Sequence, residues 1–240
     1  MKYVNFKFIT ALFLILAIII TFLDCEQKTA VGPKVTRIKI ASWNIRKLSN
    51  SSRDDYELGK IANMISKFDI VAIQEALDTK VLDRILAKLP GWKYTASNPV
   101  GQIQKEIYAY LWNDSFISQI GCGVIIRDPD NLFIKEPYLA TFKVGKFDFT
   151  LCTIHLIYGE NEIERRKELV FMDEVLESVQ VVNGMERDII LLGDFNFPPD
   201  DEGWQLSGWT ALFHPPEKTT IGDKSLYDNI WINPEYTVEY

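Results

Sequence analysis

Five polar side chains stand at the ends of four apolar, strand-like runs, where a buried strand has no structural use for them. Residues 38–43 run into Asn44, 70–74 into Glu75, 149–154 into His155, and 189–192 into Gly193-Asp194-Phe195-Asn196. Two carboxylates and two amides are the oxygen donors that suit a hard divalent cation, and an imidazole transfers protons near neutral pH. Side chains gathered at one end of a sheet make a site, because ligands in layered α/β architectures sit at strand ends. Gly193 lets the backbone turn sharply, so that Asp194 and Asn196 point the same way. Taken alone, Gly-Asp-x-Asn reads equally well as a capped strand-to-loop turn. Four equivalent strand ends make coincidence a poor explanation.

The elements between these runs are helical. Residues 56–68 carry Leu58, Ile61, Ala62, Ile65 and Phe68 at helical spacing, and Val81, Leu82, Ile85, Leu86 and Leu89 repeat the pattern up to Pro90-Gly91. A third helix is expected over about 162–180, with Ile163, Val170, Phe171, Val175, Leu176 and Val179 on its apolar face. The alternating stretches 107–112 and 147–151 read as half-exposed strands. Mixed strands with a few covering helices imply two sheets packed face to face and flanked by helices.

The chain has 240 residues, 47% of them hydrophobic and 25% charged, enough to bury one large core. Lys2 and Lys7 precede the apolar stretch 8–23, so residues 1–25 read as a signal peptide or membrane anchor. Cys25 makes a lipoprotein signal one form of it. A linker over 26–36, with Gly32-Pro33, then leads to a domain over 37–240. The domain is expected outside the cytoplasm of a bacterium, either secreted or tethered to the membrane by its N-terminal segment. Cys122 and Cys152 could pair there, but Cys152 sits within a strand-like run and reads as a small apolar filler. A net charge of −7 argues against tight, nonspecific polyanion binding. It is compatible with a cation recruited to meet a phosphate.

Seven segments resemble, in order, the motifs of the endonuclease/exonuclease/phosphatase superfamily, deoxyribonuclease I type. They are Ile40-Ala41-Ser42-Trp43-Asn44-Ile45-Arg46, Ala72-Ile73-Gln74-Glu75, Lys105-Glu106-Ile107-Tyr108, Ile134-Lys135-Glu136-Pro137, Thr153-Ile154-His155, Leu192-Gly193-Asp194-Phe195-Asn196 and Tyr227-Asp228-Asn229-Ile230. The resemblance implies a four-layered α/β sandwich and Mg²⁺-dependent cleavage of phosphate esters, with Mn²⁺ or Ca²⁺ as substitutes. It assigns Glu75 to the metal, with Asn44 completing or supporting that site. Asp194 and Asn196 would orient the attacking water and the scissile phosphate. His155 would protonate the leaving oxygen, with Glu106 holding its tautomer, while Arg46 and Lys135 would reach phosphate oxygens.

In the family, the aspartate matching Asp228 pairs with a second histidine, the general base, on a Ser-Asp-His segment. This sequence carries none after Asp228, and His214 precedes it in His-Pro-Pro. The expectation is a sandwich lacking its C-terminal strands, with an unpaired edge and weak or absent hydrolysis as written. Truncation and genuine loss both stand as explanations. Leu77 and Gln104 occupy positions where deoxyribonuclease I relatives place an Arg and a Tyr in the minor groove, which weakens duplex reading. DNA is still the first expected substrate. A phospholipid or sugar phosphate cleaved at a membrane surface is the second. Trp204, Trp209, Leu212 and Phe213 would then dip into lipid, unless they are simply core. A noncatalytic binding protein on the same fold is the third reading, and a monomer is expected.

Overall fold

The computed structural model describes residues 37–102, 104–128, 130–159, 161–182 and 187–237. The expected leader over 1–25, with Cys25, and the linker over 26–36 lie outside them. No helix among the described residues is long and apolar enough to cross a membrane.

Among the described residues, ten strands form two sheets. β1 (Ile40–Leu48), β2 (Ile70–Ala76), β3 (Trp92–Ala96) and β4 (Ile107–Asn113) make a four-stranded sheet in the order β1-β2-β4-β3. The second sheet comprises β5 (Ser118–Ile125), β6 (Tyr138–Val144), β7 (Phe147–His155), β8 (Ile189–Asp194), β9 (Thr210–Ala211) and β10 (Asp228–Ile232). Its order is β5-β6-β7-β8-β10-β9. The parallel pairs β1/β2 and β7/β8 each enclose a helix, as a parallel connection requires.

Helix α1 (Asp55–Ile65) starts at Asp54, whose carboxylate accepts from the Glu57 amide while Glu57 reaches back to the Asp54 amide. It buries Leu58, Ile61, Ala62 and Ile65. Helix α2 (Thr79–Leu86), capped by Asp78, buries Val81, Leu82 and Ile85. Both cover the outer face of the first sheet, packing on Val71, Ile73, Ala109 and Leu111. The alternate residues Ile70, Ala72, Tyr108, Tyr110 and Trp112 face the second sheet and meet Tyr138, Phe142, Phe149, Leu151 and Leu192. Helix α3 (Glu162–Val182) covers the outer face of that second sheet. The result is helix, sheet, sheet, helix: the expected four layers.

Three details differ from expectation. The 107–112 run is buried at every position, because α1 and α2 cover one face of β4 and the second sheet covers the other. On α3, the buried positions are Leu169, Met172, Val175, Leu176 and Val179, whereas Ile163 and Val170 are exposed. Leu169, Met172, Val175, Leu176 and Val179 form one stripe at helical spacing, and Ile163 and Val170 fall on the opposite side of the helix. The edge beyond β10 carries β9, paired through Trp231↔Ala211 and Ile232↔Thr210, so a two-residue strand covers part of the edge expected to be bare. Cys152 is fully buried, with burial pushing its thiol up to about 12, while Cys122 is exposed, and both are free.

One hydroxyl ties the sheets together inside this core. Tyr110 Oη on β4 donates toward Tyr138 O at 2.8 Å and Leu151 O at 3.0 Å on the opposite sheet. Tyr110→Phe removes that bond and is expected to lower unfolding free energy by about 1–2 kcal/mol. A urea midpoint unchanged from the parent would show that the hydroxyl contributes nothing.

Candidate active site

All five strand-end residues lie in one open cleft of about 1480 Å³, together with Glu106 and Asp228. Strand direction explains the gathering. The C-terminal ends of β1, β2, β7 and β8 point the same way, and the antiparallel β4 and β10 begin where those strands finish. Glu106 immediately precedes β4 and Asp228 opens β10. Across the second sheet, His155, Asp194 and Asp228 stand in register on three neighbouring strands.

Local irregularities aim the side chains. The β1/β2 ladder slips between Asn44 and Leu48, where Arg46 and Lys47 have φ of 48° and 52°. The β2/β4 ladder slips between Ile73 and Ala76, with Glu75 at φ 59°. Such bulges re-aim one side chain out of the alternating pattern. Gly193 has φ 155°, and a Cβ there would run into the Ile154 carbonyl oxygen. Glycine is therefore required for β8 to pass β7 and turn into the Asp194 loop.

Asn44 links the sheets. Its Nδ2 donates to Glu75 Oε1 and to Asp194 Oδ2, each at 3.0 Å, while its Oδ1 accepts from the Arg46 amide at 2.9 Å. Glu75 Oε2 accepts from the Lys47 amide at 3.0 Å. Glu75 therefore keeps lone pairs for the cleft, and Asn44 acts chiefly as the spacer holding two carboxylates apart. Among the described residues, no three His, Cys, Asp or Glu side chains are gathered to enclose an ion. One carboxylate with an amide beside it fits Mg²⁺, which keeps several waters and uses substrate phosphate as a ligand.

On the other wall, His155 Nδ1 lies 2.9 Å from Glu106 Oε1, and both side chains are buried. The His155 amide donates to Tyr108 Oη at 3.0 Å. Burial pushes the Glu106 carboxyl up, but the His155 hydrogen bond and charge, with Lys135, outweigh it and hold the group below the usual range. Lys135 does not extend toward solvent: its Nζ is 2.9 Å from Glu106 Oε2. Asn196, at φ 54°, donates its amide to Asp194 Oδ1 and its Nδ2 to the Leu156 carbonyl. Arg46 is exposed on the cleft wall, as is Gln104. Asp228 is pushed up to about 6, first by burial and then by the neighbouring Asp194.

Four supporting residues escaped the sequence reading. Gln74, fully buried, donates to Thr153 Oγ1 at 2.8 Å and so bridges the sheets beneath the site. An amide inside an otherwise apolar run was its signal. Tyr108 stood in a quoted motif without a role, and Glu168 and Thr219, whose hydroxyl accepts from the Asp228 amide, carry no pattern in the chain. Of the four expected lipid-facing residues, Trp204 and Trp209 pack on the core under α3, while Leu212 and Phe213 are about two-fifths exposed.

A model of the Endonuclease/Exonuclease/phosphatase family matches residues 41–220, which contain every strand-end residue of the cleft. The chain belongs to this family. Its endonuclease/exonuclease/phosphatase domain is 28% identical over 218 residues to a deoxyribonuclease of Thioalkalivibrio sp. (strain K90mix), covering 84% of this chain and 59% of that protein. It is 27% identical over 205 residues to rat deoxyribonuclease-1, covering 76% of this chain and 66% of that one. The fold is shared with the mannosyl-6-phosphatase Bt3783 of Bacteroides thetaiotaomicron, at TM-score 0.60 and 19% identity, over 82% of this chain and 86% of that one.

A carboxyl whose folded-state proton affinity is raised makes folding favour the protonated form. That stability is fully present below the ordinary Asp value of about 3.9 and is lost as pH rises through about 6. Asp228→Asn should therefore match the parent near pH 3.5, gain on it from there to about pH 6, and keep a constant advantage above. Paired denaturation curves across that range test this; parallel curves would refute it.

Proposed function

We propose that this chain is a divalent-cation-dependent phosphodiesterase acting on DNA. The observation that carries this reading is the convergence, from two sheets, of Glu75 and Asp194 on one amide, opposite the Glu106-held His155. Glu75, supported by Asn44, would hold the cation, which supplies positive charge to a scissile phosphate. Asp194 and Asn196 orient the attacking water in line with the leaving oxygen. His155 hydrogen-bonds the phosphate and delivers a proton to that oxygen. Asp228, in register beside Asp194, is placed to take the proton of the water. The two relatives named deoxyribonuclease support DNA as substrate.

The rims of the cleft fit a polyanion better than the overall charge does. Arg46, Lys47, Lys60 and Lys224 all line it. His214, the second histidine, is exposed in a turn over 214–217 and does not line the cleft. The domain is expected to work outside the cytoplasm. A second reading, hydrolysis of a phospholipid or sugar phosphate, is favoured by the exposed Leu212 and Phe213.

Plasmid nicking with Mg²⁺ is the test. Chelation should abolish nicking, and His155→Ala should slow it by about 10²–10⁴-fold. Nicking that is indifferent to His155→Ala would sink the assignment. Phosphate release from phospholipid vesicles without nicking would favour the second reading. Binding that is independent of both Mg²⁺ and His155 would mark a noncatalytic protein.

A further inference from the structure

Lys135 is the cation in direct contact with the Glu106–His155 pair. Its Nζ lies 2.8 Å from His155 Nδ1 and 2.9 Å from Glu106 Oε2, and its side chain is 14% exposed. The imidazolium and the ammonium cannot both keep their protons comfortably beside one carboxylate. A proton on Nδ1 donated to Glu106 faces the ammonium, whereas a lone pair on Nδ1 can accept from it.

The surroundings of His155 are otherwise acidic. Glu106 stands before β4, Asp194 at the end of β8, Asp228 at the start of β10 and Glu168 on α3, and electrostatic interactions link His155 to Glu106, Glu168 and Asp228. Carboxylates around an imidazole stabilise its charged form. A leaving-group acid must release that proton in each cycle, which is easiest when its affinity is matched to ambient pH.

The backbone sets the position of Lys135. Glu168, 3% exposed, accepts from the Ile134 amide at 2.7 Å and from the Ile157 amide at 2.8 Å. One carboxylate thus ties the residue before Lys135 to the loop after His155. Lys135 is therefore held in place, which a free phosphate-gripping arm would not be.

We propose that Lys135 is a positioning residue whose ammonium, in contact with both groups, offsets the surrounding carboxylates at His155 and eases loss of the imidazole proton. This rests on His155 acting as the acid in the phosphodiesterase reading. Its test needs no turnover, so the two can fail separately.

The chain contains two histidines, so His155→Ala assigns the His155 ring signals in a proton NMR titration of the metal-free protein. Lys135→Met should raise the His155 midpoint by about one to three pH units, the range for a charge at contact distance. Lys135→Gln, which keeps a polar head, should do the same, and Lys135→Arg should leave the midpoint near that of the parent. Circular dichroism and a urea midpoint like the parent's report an intact fold. A midpoint that stays put or falls in a folded Lys135→Met or Lys135→Gln protein overturns the proposal, whether or not the parent nicks plasmid.

Discussion

The side-chain amide of Asn44 is the point on which the site depends. Its two N–H groups are spent on carboxylates from opposite sheets, Glu75 and Asp194, at equal distances of 3.0 Å. Two carboxylates brought together without a donor between them repel, and one takes up a proton. The amide stands between the two and fixes their separation, at the cost of committing Asn44 to the protein and not to a ligand. Gln74 repeats the device one layer below, reaching from the first sheet to Thr153 of the second. The sheets are thus joined by apolar packing through the middle and by amides at the end that opens into the cleft.

That arrangement explains the irregular backbone around it. A regular β1 and β2 would send alternate side chains into the two cores, and Glu75 would join its neighbours in burial. The slips in both ladders, with left-handed residues at Arg46, Lys47 and Glu75, turn the polar groups out at the strand ends. Non-glycine residues held there cost on the order of 1–3 kcal/mol each. Hydrogen bonds from the Arg46 and Lys47 amides to Asn44 and Glu75 offset part of it. Arg53 adds to this from below, its guanidinium donating to the Arg46 carbonyl at 3.0 Å.

Much of this was legible in the chain because buried strands and polar strand ends leave opposite marks. An apolar run that stops at Asn44, Glu75, His155 or Asp194 signals both the strand and the residue it delivers, and the helical stripes of α1 and α2 matched their buried faces. Residues that act on the backbone leave no such mark. Glu168 sits in a charged helix among several other acids, and only the fold shows that it faces two loop amides. On α3 the stripe through Leu169, Met172, Val175, Leu176 and Val179 outweighed Ile163 and Val170, which lie on the opposite side. Burial of 107–112 was misread because alternation of aromatic and aliphatic side chains looks alike whether one face is wet or both are dry.

The two walls of the cleft hold their carboxyls in opposite directions. On the β4/β7 wall, Glu106 is kept ionised by a histidine and a lysine despite its burial. On the β8/β10 wall, Asp228 faces Asp194 with no cation of its own, and its carboxyl rises to about 6. Here burial pushes both carboxyls the same way, so the divergence comes from their partners: Lys135 and His155 beside Glu106, a second carboxylate beside Asp228. The polarity of the site is therefore decided by where a few charges lie along the strand ends, which the topology of the two sheets fixes.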